Sequence, residues 1–316
     1  MHIIGITGFL LAAYAVVGND VIQTLGTFLS SNTKRHWALL WGYASLILVG
    51  TLFLGWYFND GDVTYDRLSR IPLPDHLQWW HVLPPLVLLG VTWIGLPVST
   101  TFLILSVFSS GQVIEKMVLK SAIGYAVAFV SAFLIYFLIA RRFESKTAID
   151  RMEVKKNKKW WLVGQWFSTG FLWSQWLIQD FANIFVYLPR HLQLYELAAS
   201  TAVILALLAL VFRSRGGRIQ EIVKQKTNSA NIRSATLIDL TYGIVLYFFT
   251  IINPIPMSTT WTFVGILAGR EYAINQLLQR HLIRDTYKKI FRDLYKVNLG
   301  LMISIVVAIL IRMLLK

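Results

Sequence analysis

The sequence predicts an all-α integral membrane protein built from two inverted-topology repeats, with broken helices and re-entrant hairpins. Three observations carry this. First, 56% of the 316 residues are apolar and only 15% are charged. The mean hydropathy is +0.57, and the apolar residues come in runs long enough to cross a bilayer. Second, an amide-aspartate box and a Pro-x-Ser-Thr-Thr box each occur twice. Asp20 precedes Ser99 by 79 positions, and Asp180 precedes Ser258 by 78. Third, equivalent loops of the two halves carry opposite charge, as inverted repeats require.

Eight stretches read as membrane-embedded: 3–31, 37–58, 82–110, 120–140, 160–190, 194–212, 236–269 and 297–315. Residues 1–17 lack a basic n-region and a small-residue cleavage site, so the first stretch reads as a retained span. Stretches 37–58, 120–140, 194–212 and 297–315 have the length of single helices. The other four run to about 30 residues, and each holds one of the polar boxes, so each is expected to be a broken helix or a re-entrant hairpin. Lipid cannot satisfy a broken backbone, so the breaks must face protein or a water-filled cavity.

Loop charges set the sidedness. Loop 141–159 holds eight Lys or Arg against three acids, and loop 214–235 five against one; both are assigned to the cytoplasm. Loop 59–81 holds four Asp against two Arg and is assigned outside. An inversion needs an odd number of crossings per half. A broken span, a full span, a re-entrant Pro-x-Ser-Thr-Thr hairpin and a final full span supply it. The domains follow: 1–140 as first repeat, 141–159 as a basic cytoplasmic linker, 160–316 as second repeat. Within the second, 270–296 reads as a basic amphipathic helix on the cytoplasmic surface. There Leu278, Leu282, Ile290, Phe291 and Leu294 recur among Arg280, Arg284, Lys288, Lys289 and Arg292.

Composition excludes several functions. The net charge of +14 lies in loops between spans, so it reports membrane topology and not nucleic-acid binding. With no cysteine there is no thiol catalysis and no Cys-ligated metal. Paired Trp79–Trp80 and Trp160–Trp161 near span ends read as interfacial anchors. Glu196, Lys120 and Asp239 are expected at span edges, within reach of water.

Asp20 is the sole charge in 3–31, and Asp180 is the sole charge in 160–190 apart from Arg190 at its end. An ionisable group inside a span is costly and marks an ion or substrate path. A capping carboxylate is the plainer reading of one such Asp; two at equivalent positions favour function. Asn19 and Gln23 bracket Asp20, and Gln179 and Asn183 bracket Asp180. The i to i+4 spacing puts both amides on one helical face. Amide and carboxylate oxygens suit a hard cation such as sodium; a protonatable Asp suits a proton relay equally. Pro97–Thr101 and Pro256–Thr260 read as turns leading into half-helices. There Ser99, Thr100, Thr101, Ser258, Thr259 and Thr260 would present hydroxyls beside free N–H groups and the positive end of the dipole, an anion site without a basic side chain. Carboxylates repel an oxyanion, so a cation must lie between. Cation-coupled anion transport follows.

Both boxes resemble those of the inorganic phosphate transporter (PiT) family, whose relatives include sulfate permeases. Val17-Gly18-Asn19-Asp20-Val21-Ile22-Gln23 and Leu177-Ile178-Gln179-Asp180-Phe181-Ala182-Asn183 are similar to its Gly-Ala-Asn-Asp-x-x-Asn box. Pro97–Thr101 matches its hydroxyl motif fully, and Pro256–Thr260 with one change. The departures are Gln23, Gln179, and Phe102 and Trp261 where the family has His after the hydroxyl run. The resemblance implies secondary symport of inorganic phosphate, or sulfate, with sodium or protons, by a homodimer in a bacterial inner membrane. It implies that Asn19, Asp20, Gln179 and Asp180 serve the coupling ion, with Asp20 and Asp180 as ligands if it is sodium. Gln23 and Asn183 would join the six hydroxyl residues around the anion. No cofactor is expected, and no enzyme activity. An intramembrane diaspartyl protease is the rival enzyme class, but neither Asp lies in its Gly-x-Gly-Asp context. A channel is the other rival, and would conduct without a driving gradient.

Overall fold

The computed structural model describes residues 3–94, 98–143, 158–215, 232–278 and 283–314. Pro97, most of the basic linker, loop residues 216–231, Arg280 and Leu282 lie outside these, and so do the readings placed on them. Among the described residues the regular elements are helices. The first half contains α1 (Ile3–Ser31), α2 (Trp37–Phe58), a 3-10 turn at Trp79–Val82, α3 (Leu83–Ile94), α4 (Thr100–Phe108) and α5 (Gly111–Phe143). The second contains α6 (Lys158–Asp180), α7 (Ala182–Phe185), α8 (Leu194–Arg213), α9 (Ile232–Ile252), α10 (Thr259–Leu278) and α11 (Ile283–Leu314). Helices α1, α2, α5, α8, α9 and α11 are long and apolar enough to cross a bilayer. The chain is a multi-pass integral membrane protein.

Each span buries one stripe and turns apolar side chains outward on the rest. Helix α2 buries Leu40, Ala44, Leu48, Leu52 and Gly55 and exposes Leu39, Leu46, Phe53 and Leu54. Helix α8 buries Leu197, Ser200, Ile204, Leu208 and Phe212, and the two helices pack on one another. Such spacing makes a narrow helical seam; the outward apolar residues suit lipid. Packing partners exchange between the halves. Helix α1 packs on α8 as α6 packs on α2, and α4 packs on α11 as α10 packs on α5. The α10–α5 seam is the closest. A Cβ on Gly265 would lie 2.5 Å from the Tyr125 carbonyl oxygen, and one on Gly269 would overlap that of Phe129. This small-xxx-small spacing lets two backbones touch.

The loops also join across the halves. Leu192 N–H donates to Gly61 O (3.0 Å) and Trp56 Nε1 to Leu192 O (2.7 Å). At another loop pair, Arg215 donates to Thr33 O (2.7 Å) and Arg35 O (3.1 Å). The end of α2, reached after two helices, thus lies beside the end of α7, reached after one long helix.

Three expectations are corrected. Helix α1 is continuous through Asn19 and Asp20. No proline interrupts it, and the Asp20 carbonyl stays within the helix, accepting from Thr24 Oγ1 (3.1 Å) one turn on. The expected break does occur in the second half, where α6 ends at Asp180 and α7 restarts at Ala182. Phe181 stays bonded through it, donating to Leu177 O (3.1 Å) and accepting from Phe185 N–H (2.9 Å).

The two hairpins also differ. Arms α3 and α4 have 12 and 9 residues, roughly 18 and 14 Å at ~1.5 Å per residue, too short to cross. Arms α9 and α10 have 21 and 20, so 236–269 is not a short re-entrant loop. No Gly or Pro follows Gly269 before Leu278, so α10 continues past the apolar stretch. For the same reason 270–296 is not a separate surface helix. Its start is the end of α10, and 283–296 runs in phase into the last span as α11. The Tyr272 and Tyr287 hydroxyls, 3.2 Å apart, join the two.

Candidate functional site

Each hydroxyl box is a loop that becomes a helix N-terminus. Ser99 Oγ accepts the Phe102 N–H (3.3 Å) and Ser258 Oγ the Trp261 N–H (3.2 Å). Both serines are spent as N-caps. The second tip is held further by α5, where Ser121 Oγ accepts the Ser258 N–H (2.8 Å). Capping frees the next residue to turn outward. Thr100 Oγ1 donates to Asp20 Oδ2 (2.6 Å), and Thr259 Oγ1 donates to Asp180 Oδ2. The same pair of positions meets in both halves.

Further contacts fuse the two into one centre. Thr101, from the first half, donates to Asp180 Oδ1 (3.2 Å) and Met257 O (3.3 Å). Asn183 Nδ2 lies within 3.1 Å of Thr100 Oγ1, 3.3 Å of Thr101 Oγ1 and 3.3 Å of Asp180 Oδ1. Asn19 Nδ2 donates to Asp20 Oδ1 (2.9 Å), with Gln23 Nε2 at 3.5 Å. Tyr242 O–H donates to Thr259 O (2.9 Å). Phe102 and Trp261, which follow the hydroxyl runs, meet edge-on with ring centroids 6.0 Å apart.

The centre is buried and polar. Asp20, Asp180, Thr100, Thr101 and Asn183 are all buried. The N-termini of α4 and α10 bring their positive dipole ends to the carboxylates. Two amide oxygens, Gln179 Oε1 and Asn183 Oδ1, are buried with no protein hydrogen-bond partner. An unmet buried acceptor costs about 1–3 kcal/mol, and these are donors of the kind hard cations take.

Two expected residues stand aside. Gln179 turns its amide to Thr250 Oγ1 (2.8 Å) and Leu246 O (3.4 Å). Thr260 is buried, but among the described residues its hydroxyl reaches neither aspartate.

Other polar residues were misplaced by sequence reasoning. Asp239 and Lys120 do not reach water; they are 0% and 6% exposed. Asp239 accepts Thr27 Oγ1 and Thr169 Oγ1, both at 2.6 Å, tying α9 to α1 and α6. Lys120 Nζ donates to Asn253 O (3.0 Å), Asn253 Oδ1 (3.0 Å) and Ile255 O (2.7 Å). Arg67, 2% exposed, donates to the same Asn253 O (3.3 Å). Basic side chains therefore do stand beside the second tip. The available signal was spacing: Asp239, Tyr242, Leu246 and Phe249 fall on one buried helical face.

The fold and this centre define a class: a helical membrane protein in which two carboxylate boxes and two hydroxyl-tipped helix ends converge at one buried point. The chain is similar to a solved structure described as the sodium-dependent phosphate transporter, over 98% of each chain, with a TM-score of 0.60 and 14% identity. At that identity the likeness is one of fold. No family model and no curated protein sequence matches the chain.

Proposed function

We propose that this chain is a secondary transporter that carries a tetrahedral oxyanion, inorganic phosphate, together with a cation. The reading rests most on one observation. Thr100–Asp20 and Thr259–Asp180 repeat one contact in two halves, and Asn183 joins them. Two buried carboxylates, each bonded only by hydroxyl and amide groups, favour a cation, sodium or a proton. Asp20, Asp180 and the amide oxygen of Asn183, which is buried without a hydrogen-bond partner, are the ligands offered to it. The Thr hydroxyls and the two helix ends offer the anion its donors once the cation has drawn the carboxylates' charge. The exchange of packing partners and the pairing of loop 59–81 with 186–193 support antiparallel halves, the arrangement that alternating access uses.

The test is uptake into proteoliposomes with sodium and pH gradients imposed separately. Accumulation of labelled phosphate against its gradient, driven by one of them, is expected. Accumulation of sulfate alone would change the substrate, and uptake independent of both gradients would sink symport.

A further inference from the structure

The basic pair beside the second tip lies against residues 253–258, on the side that carries loop 59–81. Arg67 and Lys120 are nearly sealed from solvent and converge on one carbonyl oxygen, that of Asn253. A buried charge requires a partner charge. Here the acceptors are neutral carbonyl oxygens, and among the described residues no carboxylate sits within ion-pairing distance of either. Two like charges on one acceptor repel strongly in a dry surrounding. Lys120 has all three protons committed, so it contributes charge and holds the tip. Arg67 does not: its Nε–H is buried and has no acceptor. Burial lowers the Arg67 pKa to about 10, with Asp180 and Asp66 opposing, so it stays cationic at neutral pH.

We propose that Arg67, backed by Lys120, forms a second oxyanion subsite on the outer side of the central site, where a phosphate-like anion waits before it reaches the Thr100–Thr259 centre. The ligand is a tetrahedral oxyanion, met by the planar Nε fork that suits such groups. Free phosphate and a lipid phosphate share this chemistry; the depth of Arg67 favours the free ion. Only the anion's onward path rests on the transport reading. Its binding does not.

The experiment uses the full chain and inorganic phosphate. Thr100→Val impairs the central site but leaves Arg67 intact, so this variant should still bind labelled phosphate. Adding Arg67→Gln should abolish that binding. In proteoliposomes Arg67→Gln alone should raise the phosphate KM by ~10-fold or more, with the loss in KM and not in Vmax. Thermal unfolding and size exclusion confirm that Arg67→Gln folds, and Arg67→Lys should recover part of the KM. Phosphate binding by Thr100→Val that ignores Arg67→Gln overturns the subsite. So does a loss confined to Vmax, which would make Arg67 a structural latch. Arg67-dependent retention of phosphatidylglycerol without phosphate binding overturns it too. If the wild type moves neither phosphate nor sulfate yet binds phosphate through Arg67, the transport reading falls and the subsite stands.

Discussion

The two halves hold the same box in different ways. Asp20 sits within an unbroken helix and takes two of its contacts, Asn19 and Gln23, from its own turns. Only Thr100 comes from elsewhere. Asp180 sits where α6 ends, and it is met by Thr259, by Thr101 from the other half, and by Asn183 past the break. The hairpins repeat the contrast: short arms in the first half, span-length arms in the second. The two boxes present the same contact on differently built backbone. Of the two carboxylates, Asp180 is the one that takes a hydrogen bond from the other half.

The largest test removes the charges. Asp180→Asn is expected to lower uptake at least ~100-fold, and Asp20→Asn somewhat less, in protein that still folds and inserts. Proteoliposome uptake decides, and a larger loss at Asp20 would reverse the contrast. Next come the hydroxyls. Thr100→Val should cost ~10-fold or more in uptake and Thr259→Val less, because Thr100 also receives Asn183. Equal losses would mean that the Asn183 contact between the halves carries no weight.

Stability sharpens the hairpin comparison. Gly269→Ala forces a Cβ into the Phe129 backbone and should destabilise by about 1–3 kcal/mol. Gly90→Ala, in the first hairpin, meets nothing within 4 Å and should be neutral or slightly stabilising. Thermal unfolding in detergent reads both. The smallest expected loss concerns Asp239. Thr27→Val and Thr169→Val each remove one of its donors and should each cost about 1 kcal/mol in the same assay. A marked inequality would show that α1 and α6 do not share Asp239 evenly.

Much of this was legible beforehand. The doubled boxes with matched spacing announced that the Asp box and the hydroxyl box of each half belong together; which hydroxyl meets the carboxylate was not legible, because the serine caps the helix and the next threonine makes the contact. The break at Asp180 was legible as well, but the same rule failed at Asp20. A polar box permits a break without requiring one: both aspartates are met by side chains, and only one helix opens. Lys120 and Asp239 were misread because distance along a span says nothing about which face turns inward. Arg67 was hidden for a different reason. It lies in a loop of ordinary polarity, and only the folding of that loop over Asn253 buries it.

The glycine seam between α5 and α10 has a mechanical consequence. Where backbones touch, no side chain is left to slide or change rotamer, so the second hairpin and α5 must travel as one piece. The hairpin belongs to one half and α5 to the other, so the moving body is not a half of the chain. Relative motion within the fold is left to other seams, such as α2 against α8, where buried Leu, Ile and Phe stripes meet and Trp41 Nε1 donates to Leu205 O (3.1 Å).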